Sequence, residues 1–487
     1  MQWTDWLTWA SASDYTIARE IIERGVAAIF IVAFASAIAQ FPALLGEHGL
    51  LPAPAFIART SAKRFPSLFR WRYSDRMLRL TAAIGIALAA SVVLGLPQLG
   101  PSWVPLAVFA VMWVFYLSIV NVGQTFYGFG WESLLLEAGA IVGLLGSNEA
   151  APPFLIILFL RWLIFRLEFG AGMIKMRGDR TWRDLTAMYY HHETQPMPNP
   201  VSRFAHLLPK PVHRLETLGN HIVQLGMPWL LFFPQPIASF AACLIILTQL
   251  WLVISGNFAW LNWITIVIAF CGISDSFFDW ITGHGWPGWG WEHIGEGAGG
   301  PMPIWWLVLT TLAFLGLAAL SWQPVLNLFS RRQLMNASFN RWHLVNAYGA
   351  FGSVTQLRRE VIVEGTMSDD PGPTDWKPYE FKGKPGDPTR VPRQFAPYHL
   401  RLDWLMWFLA LGSWDDVWFQ RFLQRLLEAD AATLRLLRVD PFHGERPRMV
   451  RARLFAYRFA TREERRRTGL WWMRDELATL VPPSRLR

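Results

Sequence analysis

The sequence predicts a polytopic α-helical membrane bundle of about nine helices followed by a C-terminal soluble α+β domain, and three observations carry that prediction. Apolar runs follow one another with short breaks around Gly25–Gln40, Met77–Leu99, Trp103–Val120, Phe154–Met173, Ile237–Ser255 and Ile304–Leu320. Each approaches the roughly 20 residues that a spanning helix needs. Hydrophobic residues make up 53% of the chain against 17% charged, and the 28 tryptophans are far above ordinary usage. Trp103, Trp229, Trp260, Trp263, Trp305 and Trp306 sit at the ends of apolar runs, where an amphipathic ring settles at headgroup level. After Trp322 polar and apolar residues alternate as they do in a water-exposed domain, so the chain divides into residues 1–322 and 323–487.

In lipid the backbone must satisfy its own hydrogen bonds, so the apolar runs are read as helices. They fall near 21–41, 77–99, 103–121, 132–147, 153–175, 217–234, 237–255, 259–279 and 303–322. Two connecting loops are long and polar: Pro42–Arg76, rich in arginine, and Arg177–Glu216, punctuated by prolines. A third, Gly272–Met302, is acidic and glycine-rich and has no Lys or Arg. Positive charge favours the cytoplasmic side, so the basic loops face inward and the acidic loops 148–151 and 272–302 outward. Nine alternating helices then place the N-terminus outside and the tail inside. Met1–Glu20 carries aspartates rather than a basic lead, so the first helix is expected to be retained.

In the tail, Arg358–Thr366 and Met449–Phe459 read as strands from their alternation and their β-branched and aromatic content. Leu400–Leu411 and Asp415–Leu437 read as helices, apolar at three- and four-residue intervals. The prolines of Lys377–Pro397 mark a long loop or hairpin. The formal charge of +9 lies here: residues 1–322 hold 18 basic and 18 acidic side chains, and 323–487 hold 27 and 18. A basic segment beside a membrane sits near anionic headgroups, so membrane lipids are expected partners. The arginines are scattered without a recognition motif, so no nucleic acid is expected.

Ionisable residues within apolar helices are costly and mark either a structural pair or a functional cavity. Glu132 and Glu137 lie in the fourth helix, and Arg161, Arg166, Glu168 and Lys175 in the fifth. They read either as ion pairs that lock helix register or, with His191 and His192, as a polar cavity for chemistry. His191-His192-Glu193 suggests metal, and His206, His213 and His221 are available in three dimensions. Adjacent histidines point in different directions, however, so a loop bonded to its own backbone is preferred and no metal or cofactor is expected. Cys243 and Cys271 both fall in apolar segments, which supports neither a disulfide framework nor a thiolate site. Gly283–Pro301 lacks the lysine-bearing phosphate loop, and no nucleophile elbow is present.

Several blocks resemble the lipase maturation factor family: Tyr127–Gly139, Arg161–Pro198, Thr217–Pro234, Ser255–Ile266, Phe351–Thr366 and Trp376–Gly412, the last with WKPYEFKGKPGDPTRVP followed by APYHLRLDWLMWFLALG. The likeness runs from about residue 20 to 475. It implies a polytopic protein whose eukaryotic members reside in the endoplasmic reticulum membrane, where they assist folding and assembly of secreted lipases. There the tail domain is needed and works on the lumenal side, opposite to the side that charge assigns here. The architecture is more distantly similar to the vitamin K-dependent γ-glutamyl carboxylases, which are enzymes. The chain ends Ser484-Arg485-Leu486-Arg487 without a retrieval signal, and its Arg- and Ala-rich composition suggests a bacterial inner membrane.

The leading expectation is a membrane-bound maturation factor whose tail holds a client protein, a lipase in the family it resembles. The candidate contacts are Trp376, Tyr379, Phe381, Phe395, Tyr398, Trp404, Trp407 and Trp414, because Trp and Tyr bury much area at low entropic cost. Alternatively these residues form the tail's own core. The rival expectation is a membrane-embedded enzyme modifying protein or lipid, with Glu132, Glu137, Arg161, Arg166, Glu168, Lys175, His191 and His192 around a polar site.

Overall fold

A computed structural model describes residues 10–283, 302–412 and 416–486. Trp414 and nearly all of the glycine-rich stretch Gly283–Pro301 lie outside the described residues. The chain is mostly helical. Its main helices are α1 (Thr16–Leu45), α2 (Asp75–Val93), α3 (Trp103–Val122), α4 (Gly130–Val142), α5 (Phe154–Arg177), the short α6 (Met188–Thr194), α7 (Lys210–Leu230), α8 (Ile237–Ser255), α9 (Leu261–Ala269), α10 (Asp275–Thr282) and α11 (Ile304–Leu320).

Among the described residues, five helical segments are long and apolar enough to cross a membrane: Ser13–Leu45, Asp75–Val93, Trp103–Val122, Ile237–Ser255 and Ile304–Phe329. A sixth arises if Leu261–Gly272 and Asp275–Thr282, bent by 94° at their junction, count as one span. The expected count was nine, and the difference has physical causes. Helix α4 is only 13 residues long, α5 carries Arg161, Arg166 and Glu168 inside its apolar stretch, and α7 buries one face that includes His213, Asn220, His221 and Gln224. The chain is therefore an integral membrane protein whose interior elements are too short or too polar to be recognised by hydropathy alone.

Helix α1 is the hub. Phe30 and Phe34 meet the ring of Tyr116 edge to face at centroid distances of 5.8 and 5.5 Å. Helix α2 begins at Ser74, whose hydroxyl accepts from the Met77 amide at 3.1 Å, and reaches α1 through Gly85. A Cβ on Gly85 would stand 2.5 Å from the Phe34 ring. Small residues at helix contacts let backbones approach where lipid supplies no hydrophobic drive.

The C-terminal part holds a four-stranded antiparallel sheet in the order β2-β1-β3-β4. Strands β1 (Arg358–Thr366) and β3 (Met449–Phe459) coincide with the two predicted strands and pair in register from Arg358 opposite Tyr457 to Thr366 opposite Met449. The short β2 (Lys377–Pro378) opens the proline-rich loop, and β4 (Trp472–Ser484) forms the far edge. The sequence did not announce β4, because most of its residues are exposed on both faces and so carry no alternation. Helices α12 (Arg401–Ala410) and α13 (Val417–Leu427) fall within the expected helical stretches.

A single buried cluster extends from Phe30, Phe41 and Leu135 in the bundle to Tyr379, Trp404, Phe422 and Leu454 in the tail. Polar bonds cross the same junction. Gln40 of α1 donates to the His399 carbonyl at 2.6 Å and accepts from the Arg401 amide at 2.9 Å. The sheet-bearing part is thus packed onto the bundle.

Candidate functional site

The charged helix α5 forms one wall of a cavity of about 380 Å³, closed by α7, α8, α9, α12 and residues 335–353. Glu168 and Lys175 both line it. They are bridged by neutral amides that the sequence reading did not single out. The Glu168 carboxylate accepts from Gln224 Nε2 at 3.1 Å and Gln249 Nε2 at 2.6 Å. Lys175 Nζ donates to Asn220 Oδ1 at 2.9 Å and Gln224 Oε1 at 2.8 Å, and lies 4.6 Å from the Trp182 ring centroid. Asn262 extends the track by donating to Gln249 Oε1 at 2.6 Å. The result is a polar rail, Lys175–Gln224–Glu168–Gln249–Asn262, in which each buried charge is held by two carboxamides.

The rest of the cavity is apolar and aromatic, with Trp131, Phe258, Trp404 and Trp407. Phe408, Leu411 and Met335 on its wall remain 43%, 40% and 49% exposed, so they form an open apolar rim. His191 lines the cavity as well, and burial first, then the neighbouring His192, push its imidazole down to about 3. It is therefore neutral at physiological pH. A cavity with a few convergent polar groups in an apolar lining is the ordinary form of a small-ligand site.

The other charged candidates do not reach this cavity. Arg166 forms a buried ion pair with Glu137, whose carboxylate also accepts from Tyr348 Oη at 2.7 Å and the Asn346 amide at 2.8 Å. Among the described residues Arg161 pairs with no carboxylate. It donates to the carbonyls of Leu231 and Cys271 at 2.9 and 3.1 Å and to Tyr15 Oη at 2.6 Å, tying helix ends together. Glu132 accepts from the Tyr116 hydroxyl and from Arg401 NH1 at 2.6 Å, with His399 Nδ1 at 3.5 Å. Burial and the adjacent Arg401 guanidinium hold His399 down to about 4. These groups are joints between elements, and two of the three bind the bundle to the C-terminal part.

The loop histidines separate as their adjacency suggested. His191 faces the cavity, while His192 places Nε2 3.0 and 3.1 Å from the two Glu216 oxygens. His213 joins the same carboxylate, with Nδ1 3.6 Å from Glu216 Oε2. His221 turns elsewhere, donating to the Trp182 carbonyl at 2.9 Å. His192, His213 and Glu216 are the group among the described residues whose ligand atoms lie close enough to share a metal ion. Glu216 was missed, although its three-residue spacing from His213 on one helix was a usable signal.

Of the aromatic tail residues, Trp376, Tyr379, Phe381 and Trp404 are buried, and in this conformation they offer no surface to a client. Phe381 packs against Phe422, and Trp404 against Trp131 and Phe129. Phe395, Tyr398 and Trp407 are half-buried.

Two family models cover most of the chain: the lipase maturation factor transmembrane domain matches residues 17–280, and the lipase maturation factor C-terminal domain matches residues 344–482. The chain is 39% identical over 509 residues to Lipase maturation factor 1 of Homo sapiens, covering 97% of this chain and 88% of that protein. To Lipase maturation factor 1 of Bos taurus it is 38% identical over 510 residues, covering 97% and 90%. Lipase maturation factor 2 of Homo sapiens is more distant, 28% identical over 596 residues, covering 96% and 82%. No solved structure matches the chain. The two family models and the near full-length identity together show that the chain belongs to the lipase maturation factor family.

Proposed function

We propose that this protein is a membrane maturation factor that assists the folding or assembly of a lipase client. The observation that carries the reading is the 39% identity to Lipase maturation factor 1 across 97% of the chain, through both the bundle and the C-terminal part. The client surface we assign is the cavity rim at the end of α12, where the half-buried Trp407 adjoins the exposed Phe408 and Leu411. That places contact where the C-terminal part meets the bundle. Photo-crosslinking from residue 408 or 411 in native membranes tests it. Capture of an exported lipase supports the reading, and capture of lipid alone overturns it.

The same proposal keeps two units, residues 1–322 and 323–487, nine membrane crossings and a bacterial inner membrane. The hydrogen bonds at the helix ends support the crossings. At one end the Thr16 amide donates to Asp275, Arg19 to the Ser147 carbonyl, the Ser102 amide to Glu149, and Gln235 to the Gly272 carbonyl. At the other, Arg425 reaches the His48 carbonyl, Gln124 the Leu51 carbonyl, and Asn257 the Arg393 carbonyl. In this reading the basic loops lie at one end with the C-terminal part, and residues 148–151 and 272–283 lie at the opposite end.

A further inference from the structure

We propose that His192, His213 and Glu216 bind one divalent transition-metal ion, best suited to zinc, which staples α6 to α7 behind the cavity. The first argument is geometric. The three ligand atoms all lie within 4.8 Å of one another, with His192 Nε2 3.0 Å from Glu216 Oε1 and His213 Nδ1 3.6 Å from Glu216 Oε2. A tetrahedral zinc site with ordinary Zn–N and Zn–O bonds separates neighbouring ligand atoms by about 3.3 Å. The side chains of His192 and His213 are 1% and 3% exposed, while that of Glu216 keeps 14%, which leaves a way in for an ion.

The second argument concerns protons. His213 Nε2 lies 3.1 Å from the His206 carbonyl oxygen. A carbonyl only accepts, so Nε2 carries a hydrogen and Nδ1 is the ring nitrogen turned towards Glu216. Among the described residues that nitrogen is buried without a partner at hydrogen-bond distance, and it faces a carboxylate oxygen. A buried ring nitrogen facing a carboxylate oxygen at 3.6 Å leaves a place for a cation between them, a proton on the ring or a metal ion. A divalent ion differs from a proton there in engaging His192 Nε2 at the same time.

The surroundings are those of a supported ligand set. The His206 carbonyl fixes the ring of His213, and Trp251 Nε1 of α8 donates to Glu216 Oε1 at 2.6 Å. Such outer partners orient metal ligands and hold their tautomers. Histidine nitrogen with one carboxylate suits zinc better than calcium or magnesium, which prefer all-oxygen sites. The staple would fix two cavity walls, since α6 also carries His191 and α7 carries Asn220 and Gln224.

The full-length protein, purified in detergent with a histidine-free tag, should contain about one zinc per chain by elemental analysis. His213→Ala and Glu216→Gln should each abolish stoichiometric zinc, while His48→Ala, at an exposed loop histidine, keeps it. Chelator-stripped wild-type protein should take up one Zn²⁺ with release of protons and a rise in Tm. This arm does not depend on any variant folding. Wild-type protein that carries no metal and takes up none when titrated with Zn²⁺ overturns the proposal, because an added proton on His213 then fills the gap. Variants that retain full zinc overturn the assignment of ligands.

Discussion

Glu132→Gln should destabilise this protein more than any surface change, because it strands a buried guanidinium. Arg401 donates to Glu132 at 2.6 Å and to the Phe126 carbonyl at 2.9 Å, and its charge lies 3.4 Å from the Tyr127 ring centroid. Among the described residues its Nε and second terminal nitrogen have no hydrogen-bond acceptor, so no second carboxylate stands ready to replace Glu132. Glu132 and Arg401 are both fully buried. Removing one member of such a pair costs about 3–5 kcal/mol, whereas removing both for apolar groups of similar volume is often nearly neutral. At about 2 cal/mol/K of unfolding entropy per residue, a chain of 487 residues loses roughly 1 °C of Tm per kcal/mol. Glu132→Gln and Arg401→Met should therefore each lower Tm by about 3–5 °C. The double variant should recover at least half of the summed loss. Thermal unfolding in detergent, followed by intrinsic tryptophan fluorescence, gives the four corners of the cycle. Strict additivity, or single losses within the error of the measurement, would refute the claim that this pair joins the two parts of the chain.

Three further outcomes follow from the same structure. Burial holds His343 and His399 down to about 4 from the ordinary 6.5, His399 with help from Arg401. Unfolded, both would take up protons as pH falls through about 6.5, so the unfolded state binds more protons between about 6.5 and 4, and Tm should fall across that window; a flat or rising Tm contradicts it. Gly85→Leu drives a side chain into the Phe34 ring, whose nearest atom already stands 2.5 Å from a Cβ position, and should cost about 1–3 kcal/mol in the same unfolding assay. In a background with Cys243 and Cys271 replaced by alanine, cysteines at Ser61 and at Arg458, both exposed, should label from one side of the membrane and a cysteine at Gly283 from the other. Labelling of all three from one side would remove the alternating arrangement.

The strands β1 and β3 were legible because period-two alternation and branched side chains report a half-buried pleat directly. Strand β4 was not legible, since Arg474–Leu477 face solvent throughout and the pairing that makes it a strand comes from β3. In the bundle, the charges of α5 announced themselves as residues needing partners. The pair of Arg166 and Glu137 lay among the named candidates, but Glu132 finds Arg401 across 269 positions, a separation no local pattern can reveal. The cavity was half visible. Glu168, Lys175 and His191 were named for their charge or protonation, while Asn220, Gln224, Gln249 and Asn262 passed as ordinary polar residues although they supply every amide of the rail. Burial of Trp376, Tyr379, Phe381 and Trp404 was one of two readings the sequence left open, because large aromatic side chains serve a core and a contact surface equally well.

The central claim, that this membrane protein matures a lipase, is tested most directly by the specific activity of a co-expressed lipase in cells with and without the chain. The account predicts more active lipase per unit of lipase protein when the full chain is present. It predicts a reduced gain for Glu132→Gln, which weakens one of the joints between residues 1–322 and 323–487. Lipase activity per molecule that is unchanged by the presence of the intact chain, with the chain verified in the membrane, would contradict it.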